Sequence, residues 1–545
     1  MSRGDAGTSG GERAARQTWL IILGLFILFG FLIVSAWRLA RPRRSPSPPA
    51  TPSPPPVASP SPVPPRTAVP TGTSTRPPST PAPDYGQGLR PEFREDVDRF
   101  PDATRYDLEL TIDLDEAMVY GTEGIAYTNT ETVPLESLIL RLFPNTPGYG
   151  GTMTVTHLTI DGRSVEPVSE LGGGALRVPL EAALPPRAVV DVALDFTLAL
   201  PTDQHPADSR EPGGGYRQLG IYDDTVALAN AYPLVPVYNN EGWNVELAPI
   251  HGDAVFSDVA FFNVSITAPQ TMTLAASGTC TVFPADGGQN TWSCTAAPMR
   301  DFNAVLGGDY RVESDEVKGV TVNSVFCTGH EEGGARALDY ASAALRLFDA
   351  RIGTYPFSEL DVVETPTLAG GIEYPGLVVI NSAYYGDGGS RMEWVVVHEV
   401  LHQWWYSLVG NDQVDEPWLD EALTQYCTLL YFEERYGEEV AKRLLESMFQ
   451  EPSQQLEESG RDKPAGLPVA AYSGSEYGLV VYQKGPLYFH ELRQEVGDRA
   501  FWEILQTYFE QNRYLIATPT DWLAAVETVA GREYRDLYEA WIGDE

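Results

Sequence analysis

Residues 390–410 read SRMEWVVVHEVLHQWWYSLVG and carry two histidines four positions apart, His398 and His402. Ser390 and Glu393 have the spacing of a helix N-terminal capping box, and a glycine ends the stretch, so the pattern predicts one helix over 390–410. Residues four apart share a helical face, so both imidazoles can reach one metal ion. Two histidines on an ordinary amphipathic helix are the alternative. The apolar neighbours predict a buried helix, where unpaired histidines are costly, and they therefore favour the metal.

Glu399 follows the first histidine and lies beside the predicted metal, where it can accept a proton from an activated water molecule. This His-Glu-x-x-His spacing is a general metalloprotease pattern. A catalytic zinc also needs a third protein ligand and an open coordination position. Asp415-Glu416-Pro417 predicts the start of a second helix, because proline is favoured in a first helical turn. The candidates for the third ligand are Glu416, Asp420 and Glu421.

The two helices together, HEVLHQWW and WLDEALTQY, resemble the zinc signature of the gluzincin peptidases of the aminopeptidase N (membrane alanyl aminopeptidase) family. The resemblance selects Glu421, nineteen residues after His402, as the third ligand. It implies one Zn²⁺ per chain, held by His398, His402 and Glu421, with Glu399 as the catalytic base.

A second stretch, Gly370-Gly371-Ile372-Glu373-Tyr374, is similar to the Gly-x-Met-Glu-Asn motif of the same family. In the family this motif is an edge strand that pairs with the substrate backbone, and its glutamate binds the free α-amine. The resemblance therefore implies substrate binding by Gly370, Gly371 and Glu373. The sequence departs from the motif at Ile372 and Tyr374. A second polar residue of the β domain usually assists the glutamate, and the corresponding region offers Asn230.

A third stretch, Tyr482-Gln483-Lys484-Gly485, resembles the Tyr-x-Lys-Gly segment of the family, whose tyrosine stabilises the oxyanion. A phenol suits this role, because it donates a hydrogen bond without being ionised at neutral pH. A tyrosine that only fills the core is the alternative for Tyr482. The chain resembles a short form of the family, without the C-terminal helical domain of many members.

Composition divides the chain into five segments. Residues 1–18 form a short tail, and residues 19–37 form an uncharged apolar run about 28 Å long as a helix, which predicts a transmembrane anchor. A cleavable signal peptide is the alternative. Residues 38–96 predict a proline-rich disordered stalk. Alternating strand patterns then predict an all-β sandwich-like domain over 97–312, saddle-shaped by the resemblance, and residues 313–545 predict an α+β domain, thermolysin-like by the resemblance.

Charge and cysteines restrict the partners and the compartment. The net charge of −38 makes nucleic acid an unlikely partner, because the chain repels phosphate. Cys280 and Cys294 flank a turn-rich segment, and they are either a disulfide, which indicates an oxidising compartment, or two separate thiols. The stalk and this pair favour a catalytic domain outside the cytoplasm, whereas the arginines that flank the apolar run favour the opposite orientation.

The sequence thus predicts a membrane-anchored zinc aminopeptidase acting on peptides. One alternative is an endopeptidase with the same zinc site and no requirement for a free amine. Another is a surface binding module with a structural zinc, for which a non-ligating Glu399 would have no use.

Overall fold

The computed structural model describes residues 83–203, 215–386 and 391–543, which all belong to one compact unit. The predicted tail, apolar run and most of the stalk lie outside the described residues, as does Ser390. Among the residues that are described, no helix combines the length and apolar character needed to cross a bilayer.

The predicted disordered stalk extends too far toward the C-terminus. Its last part contains the 3₁₀ helix Tyr85–Gly88 and the start of a second one, Pro91–Arg99. Leu89 between them is buried, and Arg90 donates its backbone N–H to the Pro356 carbonyl at 2.8 Å. The order arises because apolar residues reappear after the proline-rich run and pack on the folded chain.

The N-terminal part is rich in β-structure. Its main sheet has eight strands in the order β15-β16-β13-β1-β2-β8-β4-β5, and β1 pairs in parallel with β13 and antiparallel with β2. Smaller sheets have the orders β3-β7-β6, β14-β17-β10-β9 and β11-β12. The strands of this part are β1 Arg105–Asp113, β2 Met118–Thr128, β3 Leu135–Arg141, β4 Thr152–Ile160, β5 Arg163–Ser164, β6 Val168–Glu170, β7 Ala175–Leu184, β8 Val189–Ala199, β9 Leu219–Tyr222, β10 Thr225–Leu228, β11 Tyr238–Asn239, β12 Gly242–Trp243, β13 Ala260–Pro269, β14 Thr273–Ala276, β15 Thr279–Ala285, β16 Gln289–Met299 and β17 Ala304–Gly307.

The alternation of residues along the strands explains why the sequence forms the main sheet. In β1 exposed and buried residues alternate strictly, as a sheet with one face on the core requires. Cys280 and Cys294 lie directly opposite each other on β15 and β16 and form a disulfide. Of the two alternatives left by the sequence, the structure therefore has the bonded pair. Cys327 and Cys427 are free thiols.

The C-terminal part begins with a five-stranded sheet of order β18-β19-β20-β22-β21. Its strands are β18 Tyr310–Val317, β19 Val320–Cys327, β20 Glu359–Thr365, β21 Gly371–Ile372 and β22 Leu377–Asn381. Strand β18 crosses the predicted domain boundary between residues 312 and 313 and belongs to this second sheet. The short strand β21 lies at the sheet edge and runs antiparallel to β22.

Helices form the rest of this part. They are α1 Glu331–Arg351, α2 Ala383–Gly386, α3 Arg391–Leu401, α4 Leu423–Tyr436, α5 Glu438–Leu445, α6 Glu451–Glu458, α7 Gly474–Leu479, α8 Pro486–Val496, α9 Asp498–Asn512, α10 Pro519–Ala530 and α11 Arg535–Trp541. Single π-helical turns, Trp418–Ala422 and Val480–Lys484, precede α4 and α8.

The prediction of one helix over 390–410 is wrong at its C-terminal end, because α3 ends at Leu401. Tyr406 adopts a φ of 105°, which no helix accommodates. The guanidinium of Arg300 donates to the Tyr406 carbonyl at 2.7 Å, so a residue of the β-rich part fixes the turn after the helix. The predicted capping box includes Ser390 and therefore lies partly outside the described residues. The buried Glu393 carboxylate accepts hydrogen bonds from Tyr431 and Tyr436.

Candidate active site

Helix α3 and the turn after it present His398, Glu399 and His402 at the centre of the C-terminal part. His402 follows the last helical residue but keeps the helical register, because its N–H donates to the His398 carbonyl at 3.3 Å. The two imidazoles therefore lie on one face, as their spacing predicted. Glu421 approaches them from the π-turn Trp418–Ala422, which directly follows Pro417.

The ligand atoms of these three side chains form a nearly equilateral triangle. His398 Nε2 lies 3.2 Å from His402 Nε2 and 3.2 Å from Glu421 Oε2, and His402 Nε2 lies 3.4 Å from the same carboxylate oxygen. Two ligands at about 2.0–2.1 Å from a tetrahedral ion are separated by roughly 3.3 Å. The triangle therefore fits a zinc-sized ion with a fourth position left for water or substrate. All three side chains are buried.

Neighbouring groups orient the ligands. The Nδ1 atom of His402 lies 3.0 Å from the Trp405 carbonyl, so this nitrogen carries the proton and Nε2 presents its lone pair to the triangle. The Tyr482 hydroxyl donates to Glu421 Oε1 and leaves Oε2 facing the histidines. The Nδ1 atom of His398 is buried without a hydrogen-bond partner in the described part of the chain.

The electrostatics favour a cation at the triangle. Burial lowers the pKa of His402, but the carboxylates of Glu421, Glu373 and Glu399 raise it well above its ordinary value. Burial also lowers the pKa of His398, which keeps that imidazole neutral and able to ligate a metal. For Glu421, the two histidines outweigh the effect of burial, and its pKa lies below the ordinary value. Positive charge is therefore stabilised where the three ligand atoms meet.

The rival ligands for the third position are not part of the triangle. The side chains whose ligand atoms come together are His398, His402 and Glu421. Asp420 is turned back on its own backbone, since its Oδ1 accepts the N–H of Glu421 at 2.6 Å. Glu416 does not belong to the group either.

Glu399 is buried beside the triangle and contributes no ligand atom to it. Its carboxyl group packs on edge strand β21, where a Cβ atom on Gly371 would lie 2.5 Å from Glu399 Cγ and 2.6 Å from Cδ and Oε1. Only glycine leaves this space free. Burial, together with Glu373 and Glu421, raises the pKa of Glu399 well above its ordinary value.

Edge strand β21 also brings the predicted substrate-binding residues to the site. Gly371 and Ile372 pair with Ile380 and Val379, and the opposite edge of β21 pairs with no other strand of the described chain. Glu373 directly follows the strand and is buried, and its carboxylate accepts a hydrogen bond from Gln413 Nε2 at 3.3 Å. Gly370 is adjacent, and a Cβ atom there would make only ordinary contacts, at 3.8–3.9 Å, with Tyr384 and Val395.

Tyr482 lies on the π-turn Val480–Lys484, immediately before α8, which begins at Pro486. Its ring lies 6.1 Å from the ring of His398 and 5.5 Å from that of Tyr477. Burial and the Glu421 carboxylate raise the pKa of Tyr482 well above its ordinary value, so the phenol stays protonated. The tyrosine therefore lies at the metal site with a proton to donate.

Sequence reasoning did not identify Gln413, which donates to Glu373 at this site. It lies in a loop without periodicity, and only its position three residues after Gly410, at the predicted helix end, could have suggested it. Asn230, expected as a second amine-binding residue, is fully buried, and its side-chain oxygen accepts from the Tyr149 hydroxyl at 3.0 Å. It belongs to the packing of the β-rich part.

The described residues contain a second group of possible ligands, formed by Glu246, Asp412 and Asp415. Two of the three side chains are exposed, and exposed acidic residues commonly cluster without a metal.

Together, the paired histidines of α3, the carboxylate from the following helix and the edge strand beside the base form the arrangement that the resemblance to the gluzincin peptidases implied. Residues 336–541 match the model of the peptidase family M1 domain. The C-terminal part of the chain is accordingly similar to peptidases of family M1.

Several aminopeptidases are similar in sequence to the chain. Aminopeptidase M1 of Arabidopsis thaliana is 26% identical over 248 residues, which cover 43% of this chain and 28% of the relative. Aminopeptidase N of Lactobacillus delbrueckii subsp. lactis is 23% identical over 427 residues, 72% of this chain and 46% of the relative. The chain thus matches less than half the length of either relative.

Among solved structures, the M1 zinc metallopeptidase of Deinococcus radiodurans superposes with a TM-score of 0.60 at 22% identity. The match covers 81% of this chain and 94% of that one. The two proteins share the fold over almost the whole described region.

Proposed function

We propose that this protein is a zinc-dependent aminopeptidase that hydrolyses the first peptide bond of peptides with a free N-terminus. The observation that carries the proposal is the position of Glu399. It is buried between the ligand triangle and edge strand β21, where a scissile bond paired to that strand would lie. A structural zinc site has no use for such a carboxylate.

His398, His402 and Glu421 would hold the zinc ion. When bound, zinc supplies Lewis acidity toward a water molecule and a peptide carbonyl. The chemistry of the donor set, two neutral imidazoles and one carboxylate with an open fourth position, is that of a catalytic zinc site.

The chain's own residues perform the proton transfers and the binding. Glu399 takes a proton from the attacking water and passes it to the leaving amine. Tyr482, whose one hydroxyl proton otherwise goes to Glu421 Oε1, turns it to the charge that develops on the carbonyl oxygen. Glu373 accepts the ammonium group of the substrate, and the free edge of β21 aligns the substrate backbone. An M1 zinc metallopeptidase of Deinococcus radiodurans has been solved with the peptide Tyr-Ser-Ala bound, and it shares this fold with a TM-score of 0.62.

Paired variants test the assignment of roles. We expect one zinc per chain in the wild type and in Glu399→Gln, with activity on aminoacyl fluorogenic substrates lost in the variant. Glu421→Gln should lose zinc and activity together, because it removes a ligand. Elemental analysis beside a rate assay distinguishes the cases. If Glu399→Gln loses its zinc, Glu399 has a ligand role and the assignment is wrong.

Acetylated peptides separate the aminopeptidase from the endopeptidase. Acetylation removes the charge that Glu373 binds, so we expect rates to fall by roughly two orders of magnitude. Equal cleavage of free and acetylated peptides at internal bonds would establish the endopeptidase instead.

We further propose that the apolar run 19–37 anchors the chain in a membrane, with the catalytic part outside the cytoplasm. The length of the run, the proline-rich composition of residues 38–82 and the Cys280–Cys294 disulfide support this proposal. Proteolysis of intact cells should release the catalytic part by cleavage near the proline-rich segment. Cleavage only after lysis would place the catalytic part in the cytoplasm.

A further inference from the structure

A cavity of about 320 Å³ lies where the β-rich part meets the C-terminal part. Residues 99–104 before β1, residues 257–260 before β13 and residues 514–516 of the C-terminal part contribute to its walls. Of the described residues that line it, none is a zinc ligand, the catalytic base or a residue of edge strand β21. Sites for small molecules span roughly 300–1,000 Å³, so this cavity can hold a small organic ligand apart from the active site.

One side of the cavity is aromatic. Tyr106, Tyr127 and Tyr238 line it. The ring of Trp243 supports two of them, with ring centroids 5.9 Å from Tyr127 and 5.2 Å from Tyr238. Aromatic rings attract organic cations electrostatically and offer apolar area at the same time.

The hydroxyl of Tyr127 is available to a ligand. The Tyr127 side chain is 6% exposed and lines the cavity, and in the described part of the chain its hydroxyl has no hydrogen-bond partner. The neighbouring Tyr106 hydroxyl, in contrast, accepts the Val235 N–H at 3.1 Å. A buried phenol usually has a hydrogen-bond partner, so the Tyr127 hydroxyl indicates that a polar group of a ligand completes this site.

Two carboxylates of the lining lack a basic partner among the described residues. Asp258 forms no ion pair there, and Glu131 accepts only a long hydrogen bond, at 3.5 Å, from the adjacent Thr130 hydroxyl. Arg300 attracts the Asp258 carboxylate from beyond ion-pair distance, and burial still raises the pKa of Asp258 above its ordinary value. Two like charges in one cavity repel each other, and a cation placed between them removes that repulsion.

The arginines of the lining, in contrast, are already engaged. Arg187 donates to Asp102, and Arg99 lies 3.6 Å from Asp96. Arg300 is 2% exposed and donates to three backbone carbonyl groups. An anionic ligand would have to displace these contacts, whereas a cationic ligand meets acceptors that are free.

We propose that this cavity binds an organic cation, with an ammonium head at Asp258, Glu131 and the Tyr127 hydroxyl and an apolar body against the tyrosine rings. An ammonium group has three N–H donors, which match the two carboxylates and the phenol oxygen. The hydrogen bonds to the carboxylates are charge-assisted and therefore the strongest of the three. This site does not depend on the proposed aminopeptidase function.

The test uses three probes of similar size and different charge, namely 2-phenylethylamine, 2-phenylethanol and 3-phenylpropionate. Each is titrated calorimetrically into the zinc-loaded protein at neutral pH. Because the proposed active site also binds amines, every titration is repeated in Glu373→Gln. We expect Glu373→Gln to bind the amine at least about tenfold more tightly than the alcohol, and the propionate more weakly still.

Variants in the Glu373→Gln background identify the site. Asp258→Asn keeps the shape of the side chain and removes its charge, so the Kd of the amine should rise by roughly ten- to a hundredfold. Tyr127→Phe removes one neutral hydrogen bond, and the Kd should rise by about two- to tenfold. Asp286→Asn, which removes an exposed charge in the turn between β15 and β16, is the matched control and should leave the Kd within about twofold.

Several outcomes would overturn the inference. No binding of the amine at millimolar concentration would mean that the cavity holds only solvent, and binding that disappears in Glu373→Gln would place the amine in the active site. Tighter binding of 3-phenylpropionate would assign the cavity to anions through its arginines. An unchanged Kd in Asp258→Asn would exclude the carboxylate as the anchor. Melting temperatures verify that each variant is folded, and Asp258→Ser replaces the asparagine form if that one does not fold.

Discussion

Replacing Gly371 with alanine should abolish most activity and leave the fold intact. The added Cβ atom would lie 2.5–2.6 Å from three atoms of Glu399, whereas ordinary contacts between carbon atoms are about 3.5–4.0 Å. The Glu399 carboxylate must therefore move by roughly 1 Å. A displacement of this size in a catalytic group can cost about a hundredfold in rate, so we expect kcat to fall by about that factor.

The folded state should tolerate the same change. Gly371 does not have a positive φ, and the atoms that the new methyl group meets belong to the end of a flexible side chain. Replacement of glycine by alanine at a compatible backbone position often stabilises a protein slightly, because the unfolded chain loses freedom. The melting temperature and the zinc content should therefore equal those of the wild type or exceed them slightly.

Gly124→Ala, on strand β2 of the β-rich part, is the matched control. Its Cβ atom would meet nothing closer than 3.8 Å, so activity on aminoacyl fluorogenic substrates should stay within about threefold of the wild type. A wild-type kcat in Gly371→Ala would show that the rate does not depend on the position of the Glu399 carboxylate, which refutes the reasoning. Equal losses in both variants would mean that replacing a strand glycine disturbs the fold, and the argument from Glu399 would fail as well.

Three further predictions concern the oxyanion, pH and the disulfide. Tyr482→Phe should keep zinc and lower kcat by about two orders of magnitude, since it removes one transition-state hydrogen bond. Tyr477→Phe should lower kcat much less, and equal losses of kcat in the two variants would contradict the role of Tyr482. Burial and Asp361 raise the pKa of Glu359 to about 8, so the folded state holds this proton more tightly than the unfolded chain. The resulting contribution to the free energy of unfolding is complete below about pH 4.5 and is lost as the pH rises toward 8. In denaturant unfolding at a series of pH values, the free energy of unfolding should therefore fall less steeply for Glu359→Gln than for the wild type. An unchanged pH profile would exclude Glu359 as the source of the decline. Loss of the disulfide in a Cys280→Ser, Cys294→Ser double variant, which opens a loop with a separation of 14 residues, should lower the free energy of unfolding by up to about 3 kcal/mol, and unchanged denaturant midpoints would contradict this.

The metal site was predictable because its ligands are close together in the sequence. Two ligands are four residues apart on one helix, and the third follows a proline that starts the next helix, so spacing and helical geometry place them together. The same holds for the edge strand, in which Gly371 and Glu373 are separated by a single residue. Resemblance to a known family supplied the remaining step, which was the choice of Glu421 over Asp420.

Long-range contacts account for what the sequence did not reveal. Gln413 reaches Glu373 from a loop 40 residues later in the chain. No periodicity marks such a loop. The proline-rich composition likewise predicted a disordered stalk as far as residue 96. In the structure, Leu89 pairs with Phe357 and is buried in the folded chain.

The end of the metal-binding helix connects the two parts of the molecule. Arg300 of the β-rich part donates to the Tyr406 and Leu515 carbonyls of the catalytic part and to the Ser257 carbonyl of its own. A Cβ atom on Gly410 would lie 2.2 Å from the Arg300 guanidinium carbon, so the glycine leaves room for the arginine.

The turn that Arg300 fixes also contains the Trp405 carbonyl, which sets the tautomer of His402. The geometry of the metal ligands therefore depends on a buried residue of the β-rich part. Separated from the β-rich part, the catalytic part would keep the ligand sequence but lose the contacts that orient His402.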